Sequence, residues 1–290
     1  MLYHGNCHCG RHRFELQVGG DDTTDDKHSR LPTVSCTCVA CTKQGCIWHV
    51  VQDGTLTTKA PPDSAPDDTP PLSVYRSGLL TYEFCQTCGT GLFGTHVKGP
   101  LIGKRLLNIR AIRDVNPFDY VPETPKPDES SHQDEGEMPP DCAGLLPSTG
   151  ACLCGSVAVE LLAPLQDMPL KEDNCSICTR NAWLGAYARK AQVVVRGAAQ
   201  HTRDYQFGPR RFMGHPFCTT CGAHVFMHVY GPPAEVVARL PPEKQALVQQ
   251  NLDVVPVNVR VLDGIQAHFG RLVVTRSDEG TDGYTVGWGK

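Results

Sequence analysis

The sequence predicts a mainly β protein, loop-rich and with few short helices, in which one domain occurs twice. Three observations predict it. Apolar residues make up only 40% of 290 residues, while turn formers abound, with 28 Gly and 23 Pro; that balance suits short strands and turns better than long helices. Three sequence echoes recur in the same order in each half, the mark of an internal repeat. Cysteine turns in both halves stand beside residues that alternate apolar and polar, the period of a half-buried strand.

Taken in order, the first echo opens the chain. Gly5-Asn6-Cys7-His8-Cys9-Gly10 leads into Arg13-Phe14-Glu15-Leu16-Gln17-Val18, and Gly150-Ala151-Cys152-Leu153-Cys154-Gly155 leads into Val157-Ala158-Val159-Glu160-Leu161. Both read as a Cys-x-Cys-Gly turn entering a strand. The second echo is Phe84-Cys85-Gln86-Thr87-Cys88-Gly89 against Phe217-Cys218-Thr219-Thr220-Cys221-Gly222. Each is a Cys-x-x-Cys knuckle whose glycine lets backbone amides point at the sulfurs. The third, Asn108-Ile109-Arg110-Ala111-Ile112 against Asn258-Val259-Arg260-Val261-Leu262, reads as a strand with alternating faces.

These echoes set domains at residues 1–121 and 148–290, joined by an acidic, Pro-rich linker at 122–147 whose composition suits a solvated segment. Two insertions interrupt the first domain. The acidic stretch Gly19 to Pro32 and the Pro-rich stretch Gln52 to Pro71 read as surface excursions or as lids over a site. Helical signal is confined to Pro233–Leu240 and Glu243–Leu252. Gly280 to Lys290 reads as a frayed tail.

A net charge of -4 leaves no basic footprint, so nucleic acid is excluded as the default partner. No apolar run approaches the ~18 residues of a membrane span, and Met1-Leu2-Tyr3-His4-Gly5 lacks the basic and apolar regions of a signal peptide. The expectation is a cytoplasmic chain without membrane partners. In a reducing compartment its 15 cysteines read as metal ligands before disulfides.

The cysteines sort by spacing. Cys7 and Cys9 with Cys85 and Cys88, and Cys152 and Cys154 with Cys218 and Cys221, each make a four-thiolate site. Such a zinc site has no open position and is structural; disulfides between the pairs would need an oxidising compartment. Between the first and second echoes stands Ser35-Cys36-Thr37-Cys38-Val39-Ala40-Cys41-Thr42. Three thiolates so close repel unless a cation holds them, and zinc suits them. A fourth corner left to water or substrate marks a catalytic ion; closure by Cys46 or His49 marks a structural one. Cys46 also reads as a small buried apolar residue at a strand onset. His49, nearest the loop, is the candidate base, or else an ordinary strand histidine. The second half carries Asp173-Asn174-Cys175-Ser176-Ile177-Cys178-Thr179-Arg180, with Asp173 in register with Cys36. Asp173, Cys175 and Cys178 form either a harder zinc site or a vestige that serves packing alone. Cys142 has no counterpart.

Together the motifs Gly-x-Cys-x-Cys-Gly, Cys-x-Cys-x-x-Cys-Thr, Phe-Cys-x-x-Cys-Gly and the closing Asn-x-Arg resemble the glutathione-dependent formaldehyde-activating enzyme family, which also contains centromere protein V. The resemblance implies a β-tent fold in each of two tandem copies, with a structural four-cysteine zinc and a three-cysteine zinc. Carried over, Cys7, Cys9, Cys85 and Cys88 match the structural site, and Cys36, Cys38 and Cys41 match the active site. Cys152, Cys154, Cys218 and Cys221 match the second structural site, while Asp173 departs from the pattern. The implied activity is carbon–sulfur lyase chemistry on a small-molecule thiol or thiol adduct, glutathione with formaldehyde being the founding case. Two other readings stay open. One is a zinc-dependent lyase, isomerase or hydrolase acting on a small natural product without glutathione; the other is a non-catalytic zinc-stabilised module.

Overall fold

The computed structural model describes residues 1–19, 31–61, 69–113, 115–120, 146–280, 284 and 286. The core of the acidic insertion, residues 62–68 of the Pro-rich one, Cys142 and nearly all of the 122–147 linker lie outside the described residues. The described chain is mainly β, with several sheets and few helices, as expected. It divides into two compact units. The first takes the described residues of Met1–Glu137 together with Asn174–Ala182 and those of Asp278–Lys290; the second takes those of Met138–Asp173 and Trp183–Ser277.

In the first unit, β1 (Leu2–Asn6), β2 (Arg13–Gln17), α1 (Val39–Gln44), β3 (Trp48–Val50), β4 (Leu56–Lys59), β5 (Ser73–Arg76), β6 (Leu80–Phe84), β7 (Gly91–His96) and β8 (Arg105–Asn108) follow in order. Strands β1, β2 and β4 make one antiparallel sheet, and β3-β8-β7-β6-β5 make another. Along β6, Leu80, Tyr82 and Phe84 are buried while Thr81 and Glu83 between them are half-buried, the alternation that drives a one-faced strand. On β7, Gly94 is set by packing: a Cβ there would meet the Trp48 ring at 2.9 Å. Trp48 itself is fully buried and meets Tyr82 edge-on at 6.4 Å between ring centres.

The third echo differs from the strand expected of it. Strand β8 stops at Asn108, whose side chain accepts the Arg110 amide at 3.3 Å and caps a 3-10 turn over Ile109–Ala111. Asn258 does the same for Val259–Val261 through the Arg260 amide at 3.2 Å. A short amide side chain bonding its own backbone two residues on competes with the ladder and wins. Arg110 then reaches back, its Nε donating to Gly45 O at 2.7 Å.

The segment Asn174–Ala182 is held to this unit by Arg180, whose Nε donates to Asn6 O at 3.0 Å, and by Ser176, whose Oγ lies 3.0 Å from His8 Nε2. The tail expected to fray does not do so at Tyr284. That side chain donates to His8 O, accepts from Asn6 Nδ2, both at 2.8 Å, and stacks on the His8 ring at 4.8 Å. Three partners near the Cys7 turn outweigh the entropy of ordering one aromatic side chain.

In the second unit, β9 (Thr149–Ala151) and β13 (Val193–Arg196) flank β10 (Ala158–Leu161), and β11 (Leu170–Asp173), β12 (Leu184–Arg189), β14 (Val254–Asn258) and β15 (Thr275–Ser277) form a four-stranded sheet ordered β14-β12-β11-β15. Glu172 on β11 ties this sheet together, accepting from Arg260 at 2.9 Å and Arg276 at 3.2 Å. The two expected helices are present over Ala234–Val237 and Pro242–Leu252, neither with a buried residue. Further short helices form at Val39–Gln44, Ser176–Arg180 and Ala198–His201, too brief for a periodic signal.

His215 and His224 are buried in the second unit at 6% and 5% exposure. Burial pushes His215 down to about 4, against the pull of Asp204, and His224 to about 3. A group held below its unfolded value near 6.5 keeps its stabilising effect above that pH. It destabilises the fold as protons bind the unfolded chain below it. Stability should therefore fall between pH 6.5 and about 4, by about 1.4 kcal/mol per pH unit for each histidine. In urea titrations from pH 7.5 to 5.5, His215→Phe should flatten the slope by one proton's worth; an unchanged slope would count against the assignment.

Candidate metal centres

Four groups of metal-binding side chains form among the described residues, each with ligand atoms within 4.8 Å of one another: Cys7, Cys9, Cys85 and Cys88; Cys152, Cys154, Cys218 and Cys221; Cys36, Cys38, Cys41 and His96; and Asp173, Cys175 and Cys178. Every expected thiol ligand is among them. Cys46, buried at 6% exposure, is not.

The two four-cysteine groups are built alike. In the first, the Cys7 amide donates to His12 O at 3.0 Å and Gly10 N to Cys7 O at 2.8 Å; in the second, Cys152 N donates to Val157 O at 2.9 Å and Gly155 N to Cys152 O at 3.0 Å. The knuckles close with Gly89 N on Cys85 O and Gly222 N on Cys218 O, with φ of 73° and 75° at the two glycines, a left-handed turn that a side chain would strain. Amides point at sulfur as the motif requires: His12 N and Thr87 N in one, Val157 N in the other, at 3.3 to 3.4 Å.

Sulfurs stand 3.5 Å apart between Cys7 and Cys9 and between Cys152 and Cys154, 3.6 Å between Cys9 and Cys85, and 3.4 Å between Cys154 and Cys218. Thiolates at ~2.3 Å on tetrahedral corners lie about 3.8 Å from each other, whereas a disulfide brings them to about 2.05 Å. The donor sets fit zinc. Proton affinities split within each group: burial and its sulfur neighbours push Cys7 up while bonds from Cys7 and Cys88 pull Cys85 down, and Cys152 rises to about 12 through its bond to Cys218. Four sulfurs this close ionise together only around a cation.

The third group is assembled by strand register. Cys38 caps α1 and Cys41 lies inside it; the helix ends at Gly45, in a left-handed conformation, with Cys46 N donating to Cys41 O at 3.1 Å. Trp48 opens β3, and its Nε1 donates to Cys41 Sγ at 3.2 Å. Because Leu92, Gly94 and His96 share a face of β7, and Trp48 packs on Gly94, the same face delivers His96. Its Nε2 lies 3.3 Å from Cys41 Sγ. Strand alternation sends the next residue, His49, the other way: its Nδ1 donates to Pro32 O at 2.9 Å. His49 is thus not among the gathered donors, and neither Cys46 nor His49 supplies the fourth. The fourth side chain gathered beside the three sulfurs is His96, which no spacing in the sequence points to. It stands 55 positions from Cys41, so only the pairing of β3, β8 and β7 reveals it.

Cys41 and His96 are buried, while Cys36 and Cys38 are half-buried. Bonds from Cys38 and Cys41 hold Cys36 well below the usual thiol range, and Cys38 rises to about 11 through its bond to Cys36. Three sulfurs and an imidazole nitrogen suit zinc. In the fourth group, one continuous stretch of chain, all three donors are half-buried, and Asp173 also pairs with Lys171 at 3.3 Å.

Two clefts are lined without any candidate ligand. One, of 440 Å³, lies between Phe14, Phe93 and the two feet of the Pro-rich insertion at Lys59 and Pro70; the other, of 270 Å³, lies along Phe226, His228 and Tyr230. Among the described residues no helix is long and apolar enough to cross a membrane.

Residues 147–241 match the family described as glutathione-dependent formaldehyde-activating enzyme. A Rhodobacter sphaeroides protein of known crystal structure is 27% identical over 44% of this chain and 99% of its own, with a TM-score of 0.32.

Proposed function

We propose, for a chain whose residues 147–241 match the glutathione-dependent formaldehyde-activating enzyme family, that it forms or cleaves a carbon–sulfur bond between a thiol such as glutathione and a small electrophile such as formaldehyde. The observation that carries this reading is the group of Cys36, Cys38 and Cys41. Its three sulfurs are gathered by one loop and one short helix, with two of them partly open to solvent.

Cys36, Cys38 and Cys41 would hold the ion. Zinc bound there lowers the pKa of a thiol and presents it as a nucleophile to a carbonyl carbon. Three thiolates leave about one net negative charge on such a centre, which favours delivery of a sulfur nucleophile over activation of water. The protein's own groups supply the frame. Trp48 Nε1 steadies Cys41 by a hydrogen bond, the Cys38 amide donates to Cys36 Sγ at 3.4 Å, and buried Trp48 keeps water from the inner side. Around this frame two tandem domains, each stapled by four cysteines, remain the proposed architecture, and a cytoplasmic setting suits the thiol chemistry.

The test is direct. Zinc-loaded protein mixed with formaldehyde and glutathione should accelerate formation or breakdown of S-hydroxymethylglutathione, followed by NMR, at least about a hundredfold above the uncatalysed exchange. Failure with formaldehyde and with larger glutathione adducts alike would end the reading. One observation favours a second reading, in which the chemistry lies at Asp173, Cys175 and Cys178. That group has only three donors, and the family match covers it.

A further inference from the structure

We infer that His96 is the fourth protein ligand of the Cys36, Cys38 and Cys41 centre, so that in the thiol-free protein this centre is closed by three sulfurs and one imidazole nitrogen. The inference deepens the reading above and rests on metal binding at that centre, not on the reaction.

Four observations converge on it. One ring nitrogen of His96 lies within 4.8 Å of all three sulfurs, and its Nε2 stands 3.3 Å from Cys41 Sγ. His96 as a residue is 3% exposed, so its placement is not that of a surface side chain in passing contact. Its position follows from the backbone. It ends β7, where Leu80 pairs with it across β6 and the amide of Gly103 donates to its carbonyl at 2.9 Å. Finally, the gathering is particular to this centre: the second half carries the similar run His228-Val229-Tyr230-Gly231-Pro232, yet among the described residues His228 is not one of the donors grouped with Asp173, Cys175 and Cys178.

The consequence is chemical. A neutral imidazole adds no charge to the three thiolates, and it is a ligand that an incoming thiolate can replace at equal geometry. An arriving thiol would take the position of His96 and release its own proton to solvent, while the imidazole leaves as a neutral base. With Cys36, Cys38, Cys41 and His96 holding the ion, a thiol would enter by replacing the imidazole. The half-buried Cys36 and Cys38 mark the side from which exchange is accessible.

Cadmium-113 NMR tests this with the full chain, because each centre gives its own resonance and sulfur and nitrogen donors shift it differently. In the cadmium-loaded protein one resonance should fall in the range of three sulfurs and one nitrogen, beside two of four sulfurs. His96→Ala should move that resonance alone and weaken metal binding there by about tenfold or more. His96→Cys should carry the same resonance into the four-sulfur range and retain the ion, which guards against an alanine variant that fails to fold. If neither substitution moves any resonance, or only the four-sulfur resonances move, the assignment is overturned. Glutathione added to the wild-type protein should exchange nitrogen for sulfur at this resonance only. Without that exchange the proposed reaction loses its entry at this centre, while the His96 assignment stands on the two variants.

Discussion

Cys85→Ala should leave the first unit unable to fold. Cys85 sits on the knuckle after β6 and shares its ion with Cys7 and Cys9 from the turn after β1, so the metal joins the two sheets of that unit. Structural zinc contributes an apparent 10–16 kcal/mol at neutral pH, against a total stability of about 5–15 kcal/mol for a whole domain. Losing one of four thiolates therefore removes more than the unit can spare. The expected result is one metal equivalent fewer by elemental analysis and a red-shifted emission from Trp48, which is otherwise fully buried. Trp183, buried in the second unit, reports separately. Cys46→Ala is the control, since Cys46 belongs to no metal group. It should cost only about 1–2 kcal/mol for a small buried side chain and retain every ion. A chelator should remove the ions of every centre and shift Trp48 emission as Cys85→Ala does, whereas a reductant should not, because the sulfurs stand too far apart for disulfides. A Cys85→Ala protein with full metal content and a buried Trp48 would remove the structural role assigned to this group.

What the sequence showed and what it hid divide along one line, the range of the interaction. Cys-x-Cys-Gly and Cys-x-x-Cys-Gly are local. Their turns are closed by bonds within a few residues, such as Gly89 N to Cys85 O, so the eight knuckle cysteines could be paired into sites before any fold was known. The class was legible for the same reason: alternation along β2 and β6 is a period-2 signal carried by neighbours. His96 was hidden because its place depends on two successive strand pairings, β3 with β8 and β8 with β7, and on the Gly94 gap that admits Trp48. The same alternation turned His49 away from the sulfurs, although in sequence it stands close to Cys41. Asn108 misled in the opposite direction. Its neighbours alternate like a strand, but one side-chain bond to the Arg110 amide bends them into a 3-10 turn. Tyr284 could not be placed from its Gly- and Asp-rich surroundings, since its partners Asn6 and His8 lie at the other end of the chain.

Cys38→Ser should reduce kcat/KM for the thiol adduct by about a hundredfold or more while both four-cysteine groups keep their metal. A serine hydroxyl is nearly the size of a thiol, so the loop and helix α1 should persist. Its oxygen stays protonated at neutral pH and is a poor, hard ligand beside two soft sulfurs. The backbone bond from the amide of residue 38 to Cys36 Sγ survives, so the change is confined to one donor. A metal centre supplies several kcal/mol to the transition state, and each 1.36 kcal/mol is a factor of ten in rate, which sets the size of the loss. Cys178→Ser is its partner experiment. If the chemistry lies at the Cys36, Cys38 and Cys41 centre, Cys178→Ser should leave kcat/KM within about threefold. The reverse pattern, activity intact in Cys38→Ser and lost in Cys178→Ser, would move the reaction to Asp173, Cys175 and Cys178. The first centre, with His96 as its fourth donor, would then be a structural one. Emission from Trp48 and Trp183 should be unchanged in both proteins, so that a loss of rate is read as a loss of chemistry and not of fold.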